Sequence, residues 1–524
     1  MYDLNKKYLM AIDGGTGSIR AVVFDTEGNQ LSSHQREWFH HEDPAYPGSM
    51  NFDWETNWAL AKECIDESIK KAEIHSKDIL GISTTSMREG IVLYDENLKE
   101  LWACANVDSR SSKEASDMIV HHPSIEKDIY MLSGQTSALD AIPRLLWVKE
   151  NLPDIYEKTR YINMFNDWLI YKLTGIMTSE PSNACTTGIF NIATRAWAPE
   201  ILSTCGLKED ILPPIAESGT AIGNVSSQCS EETLLSTETV VVSGGGDAQL
   251  GGVGTAVVKD GQIGIFGGSF WQLEYNTSKV QVQEDMKLRV NCHAVPGMWQ
   301  YEAIAFNPGL VLRWFRDAFL DLDKVKAEEQ GKDVYDLMNA EAEKIPVGSY
   351  GLYGVFSNIM DYKAWRHAAP TFTNFGLDPF KWNKYTFYRS ILENAAFVTR
   401  GHLDLVKEAT GDNPSEVIFS NGASKSPLWC QILADVLGVT VKVPMVKEAT
   451  ALGAAICAAV GAGLYKDIQS AAQAFVQWDK EYTPNDENHK LYTALFETWK
   501  KINNHQLQQA DEGLTTHMWK APGI

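Results

Sequence analysis

The same local pattern occurs twice in this chain, and this repetition limits the folds that the chain can adopt. Residues 8–34 read as an apolar strand, a glycine-rich turn at 13–17 and returning strands. Residues 262–275 repeat the order, with a strand, a small-residue turn at 267–269 and a returning strand. Two such hairpins in distant parts of one chain predict an internal duplication of the fold.

The first hairpin turn carries residues suited to binding phosphate. No helix follows Asp13-Gly14-Gly15-Thr16-Gly17-Ser18, whereas Rossmann and P-loop sites place a helix N-terminus beside the phosphate. The backbone amides of the turn would instead form a concave nest, with hydroxyl donors from Thr16 and Ser18. Asp13, at the strand end, would hold Mg²⁺ through water. The alternative is an ordinary tight turn, but the second turn, Gly267-Gly268-Ser269, favours phosphate.

Composition excludes several classes of protein. The 524 residues, 44% of them apolar, predict two large domains rather than one core. A formal net charge of -22 disfavours binding to nucleic acid or to anionic membranes. The eight cysteines form no CxxC pair, so reduced thiols are expected. Residues 8–12 are too few for a signal-peptide core, and the most apolar later segment, 453–464, is too short to span a membrane. These features predict a cytoplasmic protein.

Hydrophobic periodicity predicts the main elements of the rest of the chain. Helices are expected at 54–72, 384–408, 428–437, 449–461 and 489–508, and strands at 79–84, 240–242, 417–419 and 439–443. The region 100–240 reads as helices mixed with turns. No linker or low-complexity segment separates the two halves, so they are expected to meet at a cleft.

An aspartate after a glycine run is the strongest candidate for chemistry. Gly244-Gly245-Gly246-Asp247-Ala248-Gln249 follows the predicted strand 240–242. Phosphoryl transfer to an alcohol needs a carboxylate that accepts the hydroxyl proton. The alternative is a helix N-cap, which would not require three preceding glycines, so the pattern favours catalysis by Asp247.

Three weaker candidates accompany Asp247. Arg88 and Glu89, at a strand end, could clamp vicinal hydroxyls, although an exposed charged turn is the more ordinary interpretation. The turn at 421–427 could cover an adenine or a ribose, and is equally consistent with a common β–α connection. Trp102, which precedes the polar stretch 106–110, could stack on a sugar-like substrate.

Taken in order, the motifs resemble those of the FGGY family of carbohydrate kinases over nearly the whole chain. The ordered pieces are the hairpin at 13–20, Met87-Arg88-Glu89, the stretch 141–147, Gly245-Gly246-Asp247-Ala248-Gln249, the hairpin at 266–270 and the turn at 421–426. Arg144 stands where many members of the family carry lysine, and Gly268 where many carry threonine. Arginine at 144 keeps the positive charge of lysine, whereas glycine at 268 lacks the hydroxyl of threonine.

The resemblance implies an α/β fold of two actin-like ATPase (ribonuclease H-like) domains with a nucleotide cleft between them. It implies a first domain at 6–246, a second at 247–490, and a C-terminal helix and tail at 491–524. Asp247 would be the catalytic base, and Asp13 and Asp247 would hold Mg²⁺ through water. The implied substrate residues are Arg88, Glu89, Trp102, Asp108 and Gln249. The implied ATP residues are Thr16, Gly17, Ser18, Arg20, Gly267, Gly268, Ser269, Gly422, Ala423 and Ser426.

Further stretches indicate an acceptor within the family. Residues 86–94, 102–108, 313–319 and 446–453, with parts of 514–523, resemble bacterial members that phosphorylate autoinducer-2, the linear 4,5-dihydroxypentane-2,3-dione. The resemblance also implies a link with the phosphocarrier protein of the sugar phosphotransferase system. Two alternatives stay open. One is a kinase for a pentulose or glycerol, and the other is an ATP-driven actin- or chaperone-like switch without a small-molecule acceptor.

Overall fold

The structure is a computed structural model that describes residues 7–268 and 270–521. Ser269, predicted to bind ATP, lies outside the described residues. The strands and helices are numbered below in chain order.

The first half of the chain contains thirteen strands and ten α-helices among the described residues. The strands are β1 (Tyr8–Gly14), β2 (Ser18–Asp25), β3 (Gln30–Glu37), β4 (His41–Asp43), β5 (Tyr46–Asn51), β6 (Ile79–Ser86), β7 (Ile91–Tyr94), β8 (Glu100–Cys104), β9 (Tyr161–Met164), β10 (Phe190–Asn191), β11 (Ala196–Trp197), β12 (Ala221–Asn224) and β13 (Val240–Gly246). The helices are α1 (Trp54–Ala72), α2 (Ser112–His121), α3 (Ile125–Ser133), α4 (Ala141–Asn151), α5 (Pro153–Lys158), α6 (Phe165–Thr174), α7 (Pro181–Ala184), α8 (Pro199–Thr204), α9 (Ser227–Glu232) and α10 (Asp247–Val253).

The second half contains the remaining elements. The strands are β14 (Ile263–Gly267), β15 (Trp271–Thr277), β16 (Arg289–Cys292), β17 (Trp299–Ala305), β18 (Tyr353–Val355), β19 (Arg366–Ala368), β20 (Thr371–Thr373), β21 (Glu416–Ser420), β22 (Thr440–Pro444), β23 (Trp478–Tyr482) and β24 (His517–Lys520). The helices are α11 (Pro308–Phe319), α12 (Asp321–Glu329), α13 (Val334–Ala342), α14 (Lys384–Thr410), α15 (Pro427–Leu437), α16 (Ala449–Gly461), α17 (Ile468–Phe475) and α18 (Asp486–Asp511).

The two large sheets share one topology. In the first, with strand order β12-β13-β6-β1-β2-β3, an antiparallel meander β1-β2-β3 is extended by the parallel strands β6 and β13. In the second, with order β16-β17-β15-β14-β21-β22-β23, the meander β14-β15-β17 is extended by the parallel strands β21 and β22. The predicted duplication, and with it the predicted two-domain α/β fold, is confirmed.

A five-stranded accessory sheet carries the loops around residues 87–110. Its order is β4-β5-β8-β7-β9, and helices α2 to α6 surround it. The sequence analysis did not predict these strands and described residues 100–240 only as helices mixed with turns, because the strands are short and lack a repeated pattern.

Helix α16 packs on the first sheet although it lies late in the chain. Its small apolar residues form one buried cluster with Leu9, Ala11 and Val22 of β1 and β2, and with Leu250 of α10. Residues 247–253 and 449–461, placed by the sequence analysis in the second domain, therefore contribute to the core of the first sheet.

Helix lengths follow from local capping. Helix α14 runs two residues beyond its predicted end and stops at Gly411, whose φ of 77° is readily available to glycine. Helix α18 begins at Asp486, before the predicted start, because the Asn485 side chain accepts hydrogen bonds from two first-turn amides. Within residues 7–268 and 270–521, no helix is long and apolar enough to cross a membrane.

We expect Gly453→Ala to destabilise the protein through the crossing of α10 and α16. A Cβ at Gly453 would lie 1.9 Å from the carbonyl oxygen of Leu250, so the helices would have to separate. Overpacking of this kind costs about 1–3 kcal/mol, which outweighs the gain of about 1 kcal/mol in helix propensity. Urea titration measures the free energy of unfolding.

Gly251→Ala is the matched control, since a Cβ there would meet its nearest atom at 3.7 Å. This variant should be as stable as the parent or slightly more stable. Equal stability of the two variants would contradict the assigned role of Gly453.

Candidate active site

Three strand ends bring the predicted catalytic residues together. In the first sheet, β6 lies between β1 and β13, and Gly14 and Gly246 both face Ser86 in register. Asp13, Arg88 and Asp247 therefore emerge at one edge of the sheet. The carboxyl ends of parallel strands are where ligands bind in open α/β sheets.

The first hairpin turn presents its amides on one side. The Trp38 indole N–H donates to the carbonyl oxygens of Gly15 (2.9 Å) and Thr16 (3.2 Å), and the Trp38 backbone N–H donates to Gly17 O at 3.2 Å. His40 Nε2 also lies 2.7 Å from Thr16 O. In trans peptides the next N–H points away from the carbonyl, so the amides of Thr16, Gly17 and Ser18 face the opposite side. Backbone amides that face one side of a turn can bind an anion, and phosphate binding at this turn stays a prediction.

Asp13 and Arg20 form an ion pair beside this turn. Arg20 Nε lies 2.9 Å from Asp13 Oδ2, and the same guanidinium pairs with Glu448 at the start of α16. Burial raises the pKa of Asp13, and the Arg20 charge opposes that shift. Arg20 thus forms ion pairs with the carboxylates of both Asp13 and Glu448.

The second hairpin and the turn at 422–426 line one cavity of about 500 Å³. Five predicted ATP residues belong to it, namely Gly267, Gly268, Gly422, Ala423 and Ser426. A Cβ at Gly267 would lie 2.6 Å from the Ala423 Cβ, so glycine is needed for the hairpin to approach the turn. The sequence analysis did not find Arg313, Arg316 and Asn339, which line the opposite wall from α11 and α13.

Asp247 directly follows β13 at the edge of the first sheet, and 43% of its side chain is exposed. It is the first residue of α10, and the N-cap position belongs to Gly246. Its carboxylate accepts a hydrogen bond from Ala248 N at 2.8 Å and lies 3.6 Å from Arg88 Nε. Desolvation, opposed by Arg88 and assisted by the charges of Glu89 and Asp13, raises the pKa of Asp247 to about 6. A carboxylate with this pKa can accept a proton near neutral pH.

The glycine run before Asp247 serves close packing. A Cβ at Gly244 would lie 1.7 Å from Thr84 O, and one at Gly245 would lie 2.6 Å from Ser182 Oγ. One at Gly246 would meet Gln249 Oε1 at 2.6 Å. The three glycines therefore let β13 lie against β6 and α7, and this packing places Asp247.

Arg88 and Glu89 belong to a buried ion network that joins the two halves. Arg88 donates to Glu302 on β17 at 2.5 and 3.2 Å, and Arg289 on β16 donates to Glu89 at 2.5 Å. Arg289 also lies 3.3 Å from Glu302. Although burial acts in the opposite direction, Arg88 and Arg289 hold the pKa of Glu302 below its usual value.

Glu274 adds a third carboxyl group to this network. It faces Glu302 across β15 and β17 and is completely buried. Burial, and then the Glu302 charge, raise the pKa of Glu274. Arg289, Glu274 and Glu302 appear in the sequence only as single charged residues within three strands, and such a residue by itself identifies no partner.

Arg144 holds the two loops that carry the predicted substrate residues. Its guanidinium donates to the carbonyl of Glu89, to Asn106 O at 3.0 Å and to Asp108 O at 3.4 Å. Glu89 has a φ of 64°, which is uncommon for a residue other than glycine. Arg144 thus fixes a strained backbone position as well as the neighbouring loop.

Trp102, Asp108 and Gln249 are buried beside the site. Trp102 stacks on Trp147 with ring centroids 6.2 Å apart. The Asp108 carboxylate, with no exposed surface, pairs with Arg110 at 2.6 Å. Gln249 donates to Gln300 at 3.1 Å. These contacts order the cleft wall, and direct contact of the three side chains with a substrate stays a prediction.

Comparison with known proteins gives two family matches and a set of similar chains. The profile of the FGGY family of carbohydrate kinases, N-terminal domain, matches residues 8–254, and that of the C-terminal domain matches residues 276–462. A curated protein from Photorhabdus laumondii, named autoinducer-2 kinase, is 47% identical over 99% of this chain and 98% of its own length. A protein of the same name from Yersinia enterocolitica is 47% identical with the same coverage.

Solved structures support the fold. A xylulose kinase from Rhodospirillum rubrum superposes with a TM-score of 0.83 at 20% identity, covering 95% of this chain and 99% of that one. Glycerol kinase from Plasmodium falciparum with ADP gives a TM-score of 0.81 at 20% identity, covering 96% and 98%. At such identities the likeness shows the fold alone.

We expect Arg144→Lys to loosen both substrate loops. A lysine has a single charged nitrogen that cannot span the carbonyls which the planar guanidinium joins. Leaving buried carbonyls unsatisfied costs about 1–3 kcal/mol, so urea titration should show a lower free energy of unfolding. The KM for the phosphate acceptor should rise more than the KM for ATP.

Arg160→Lys is the matched control, because Arg160 donates to the carbonyls of Glu157 and Thr159 within one surface turn. It should leave both KM values unchanged. An Arg144→Lys protein with parental stability and acceptor KM would contradict the clamp.

Proposed function

The chain belongs to the FGGY family of carbohydrate kinases, and we propose that it transfers the γ-phosphoryl group of ATP to the terminal hydroxyl of autoinducer-2. The observation that carries the choice of acceptor is the 47% identity, over nearly the full length, to curated proteins named autoinducer-2 kinase. Trapping an imported signal as a charged phosphate would give such a kinase its purpose in quorum sensing.

The residues around the cleft support a division of roles. The amides of Thr16, Gly17 and Ser18, with the hairpin at Gly267 and Gly268, hold the phosphates in this proposal. The cavity beside Gly422, Ala423 and Ser426 takes the adenosine. Phosphoryl transfer depends mainly on positioning and on stabilising charge, and backbone amides provide both in a protein of net charge -22.

Asp247 acts as the general base. Its exposed carboxylate takes the proton of the acceptor hydroxyl as that oxygen attacks the terminal phosphorus of ATP. Arg88 Nε, 3.6 Å from Asp247 Oδ1, keeps the carboxylate ionised and oriented. In this proposal Arg88 and Glu89 also bind the oxygens of the acceptor, and both are already fixed by Glu302 and Arg289. Expulsion of water as the halves close would limit ATP hydrolysis.

Mg²⁺ fits the oxygen donors at this edge of the sheet. Asp13 and Asp247 provide the carboxylates that Mg²⁺ prefers. No group of three or more His, Cys, Asp or Glu residues in the described part of the chain could hold a metal by itself. The two aspartates would therefore contact the ion through water, with ATP supplying further oxygens. When bound, Mg²⁺ would neutralise charge on the phosphates.

Two further parts of the proposal come from the sequence analysis. The enzyme would work in the cytoplasm, where ATP is available. It would also associate with the phosphocarrier protein of the sugar phosphotransferase system. Analytical gel filtration of the two purified proteins, alone and mixed, tests the association, and unchanged elution volumes would count against it.

An acceptor panel tests the proposed function. We expect ADP release to be fastest with dihydroxypentanedione and at least tenfold slower, as kcat/KM, with xylulose, ribulose or glycerol. Faster turnover of one of these polyols would assign the chain to an ordinary sugar or polyol kinase. ATP hydrolysis that no acceptor accelerates would instead favour an ATP-driven switch.

Asp247→Asn should lower kcat by a factor of about 10²–10⁴, the usual contribution of a positioned base, while nucleotide still binds.

In the parent enzyme, kcat/KM should rise with pH through about 6 and then level off, because the carboxylate must be ionised to accept a proton. Steady-state assays between pH 5 and 8 measure both effects. Asp66→Asn is the control, because Asp66 also has a pKa raised by burial and accepts a bond from Leu234 N away from the cleft. Near-normal turnover of Asp247→Asn would exclude it as the base.

A further inference from the structure

The C-terminal strand β24 pairs with a strand of the second half of the protein. It pairs with β19, so that Trp519 faces His367 and Lys520 faces Arg366. Arg366 forms a two-point ion pair with Asp511 at 2.8 and 2.7 Å, and His517 Nε2 lies 2.8 Å from the same carboxylate. The position of β24 is therefore defined by backbone and side-chain contacts together.

Trp519 leads directly to the second phosphate hairpin through aromatic contacts. Its ring stacks on Phe306 with centroids 4.5 Å apart and planes 25° apart. Phe306 in turn packs edge-on against Phe270, at 5.3 Å and 81°. Phe270 O accepts a hydrogen bond from Gly268 N at 2.9 Å. Three rings thus connect the C-terminal strand to the hairpin at Gly268.

A second contact connects β24 to the other wall of the same cavity. The Asn307 side-chain amide lies 2.6 Å from the Met518 sulfur. Asn307 has a φ of 76° and occupies the N-cap position of α11. Helix α11 supplies Leu312, Arg313 and Arg316 to the cavity. Strand β24 therefore contacts the start of α11, which lines the cavity, and also packs through Phe306 and Phe270 towards the hairpin at Gly268.

We propose that Trp519 is a positioning residue for nucleotide binding, and that β24 helps to order the ATP-binding cavity. The inference rests on the proposed function, because it takes the cavity beside Gly267 and Gly422 as the nucleotide site. Two adjacent glycines leave the hairpin with many accessible backbone conformations. The stacked rings restrict the hairpin from outside, so the phosphates meet a turn that is already ordered.

The test compares nucleotide binding with acceptor binding in Trp519→Ala. We expect the Kd for fluorescent N-methylanthraniloyl-ADP and the KM for ATP to rise about three- to tenfold, the range that loss of one or two aromatic contacts implies. The KM for the acceptor should change less than twofold. Trp519→Phe keeps a ring on Phe306 and should restore most of the nucleotide affinity.

Trp478→Ala is the matched control, since Trp478 is 48% exposed on the edge strand β23. It should leave both substrates unaffected. A Trp519→Ala enzyme with parental Kd and KM for nucleotide would overturn the inference, and so would equal increases in the KM values of ATP and acceptor.

A double-mutant cycle covers the case in which Trp519→Ala folds poorly. Phe270→Ala breaks the same ring series at the hairpin. Trp519→Leu removes the aromatic ring but keeps apolar bulk, and the effects of Trp519→Leu and Phe270→Ala on the nucleotide Kd should be less than additive. Additive effects would show that Trp519 does not act through Phe270. Failure of the parent protein to bind the fluorescent nucleotide would count against the proposed function instead.

Discussion

The buried ion network of Arg88, Glu89, Arg289 and Glu302 is the interaction on which the cleft depends. Each charge taken from water costs several kcal/mol, and removing one partner from such a pair typically destabilises a protein by about 3–5 kcal/mol. In this protein two residues lie in the loop after β6 and two on β16 and β17, so the cost is offset only when both halves are in register. The same pairing fixes Arg88 beside Asp247. The position of Asp247, the proposed base, therefore depends on the contact between the halves.

Close backbone contacts at glycine residues also help to position Asp247. Glycines at 244–246 bring β13 against its neighbours, and Gly453 brings α16 against α10. These contacts set how far Asp247 stands from Asp13 and from the first hairpin. The chain thus uses glycine for two purposes, since at 15 and 17 it leaves the turn free of side chains and at 244–246 it permits packing. A sequence pattern does not distinguish between these purposes.

Local features of the site could be predicted from the sequence, whereas its long-range partners could not. Strand–turn–strand patterns at 8–34 and 262–275 depend on neighbouring residues, so the duplication and both hairpins could be predicted from the sequence. Asp247 was found because its glycines precede it directly. Glu302 and Arg289 were missed because a charge inside a strand shows no partner until the sheet is assembled. The polar neighbours of Trp102 led to its interpretation as a substrate contact, which stays a prediction. Its stacking on Trp147 could not be predicted, because the two residues lie far apart in the chain.

The packing of α16 on the first sheet also determines the order in which that sheet can be completed. One face of β1 and β2, including Leu9, Ala11 and Val22, is covered by residues near 450. During synthesis this apolar face emerges from the ribosome long before its cover does. Contacts between such distant residues slow folding and leave apolar surface open to aggregation. The first domain of this protein is therefore the first to be translated, yet its core closes only when almost the whole chain has been made.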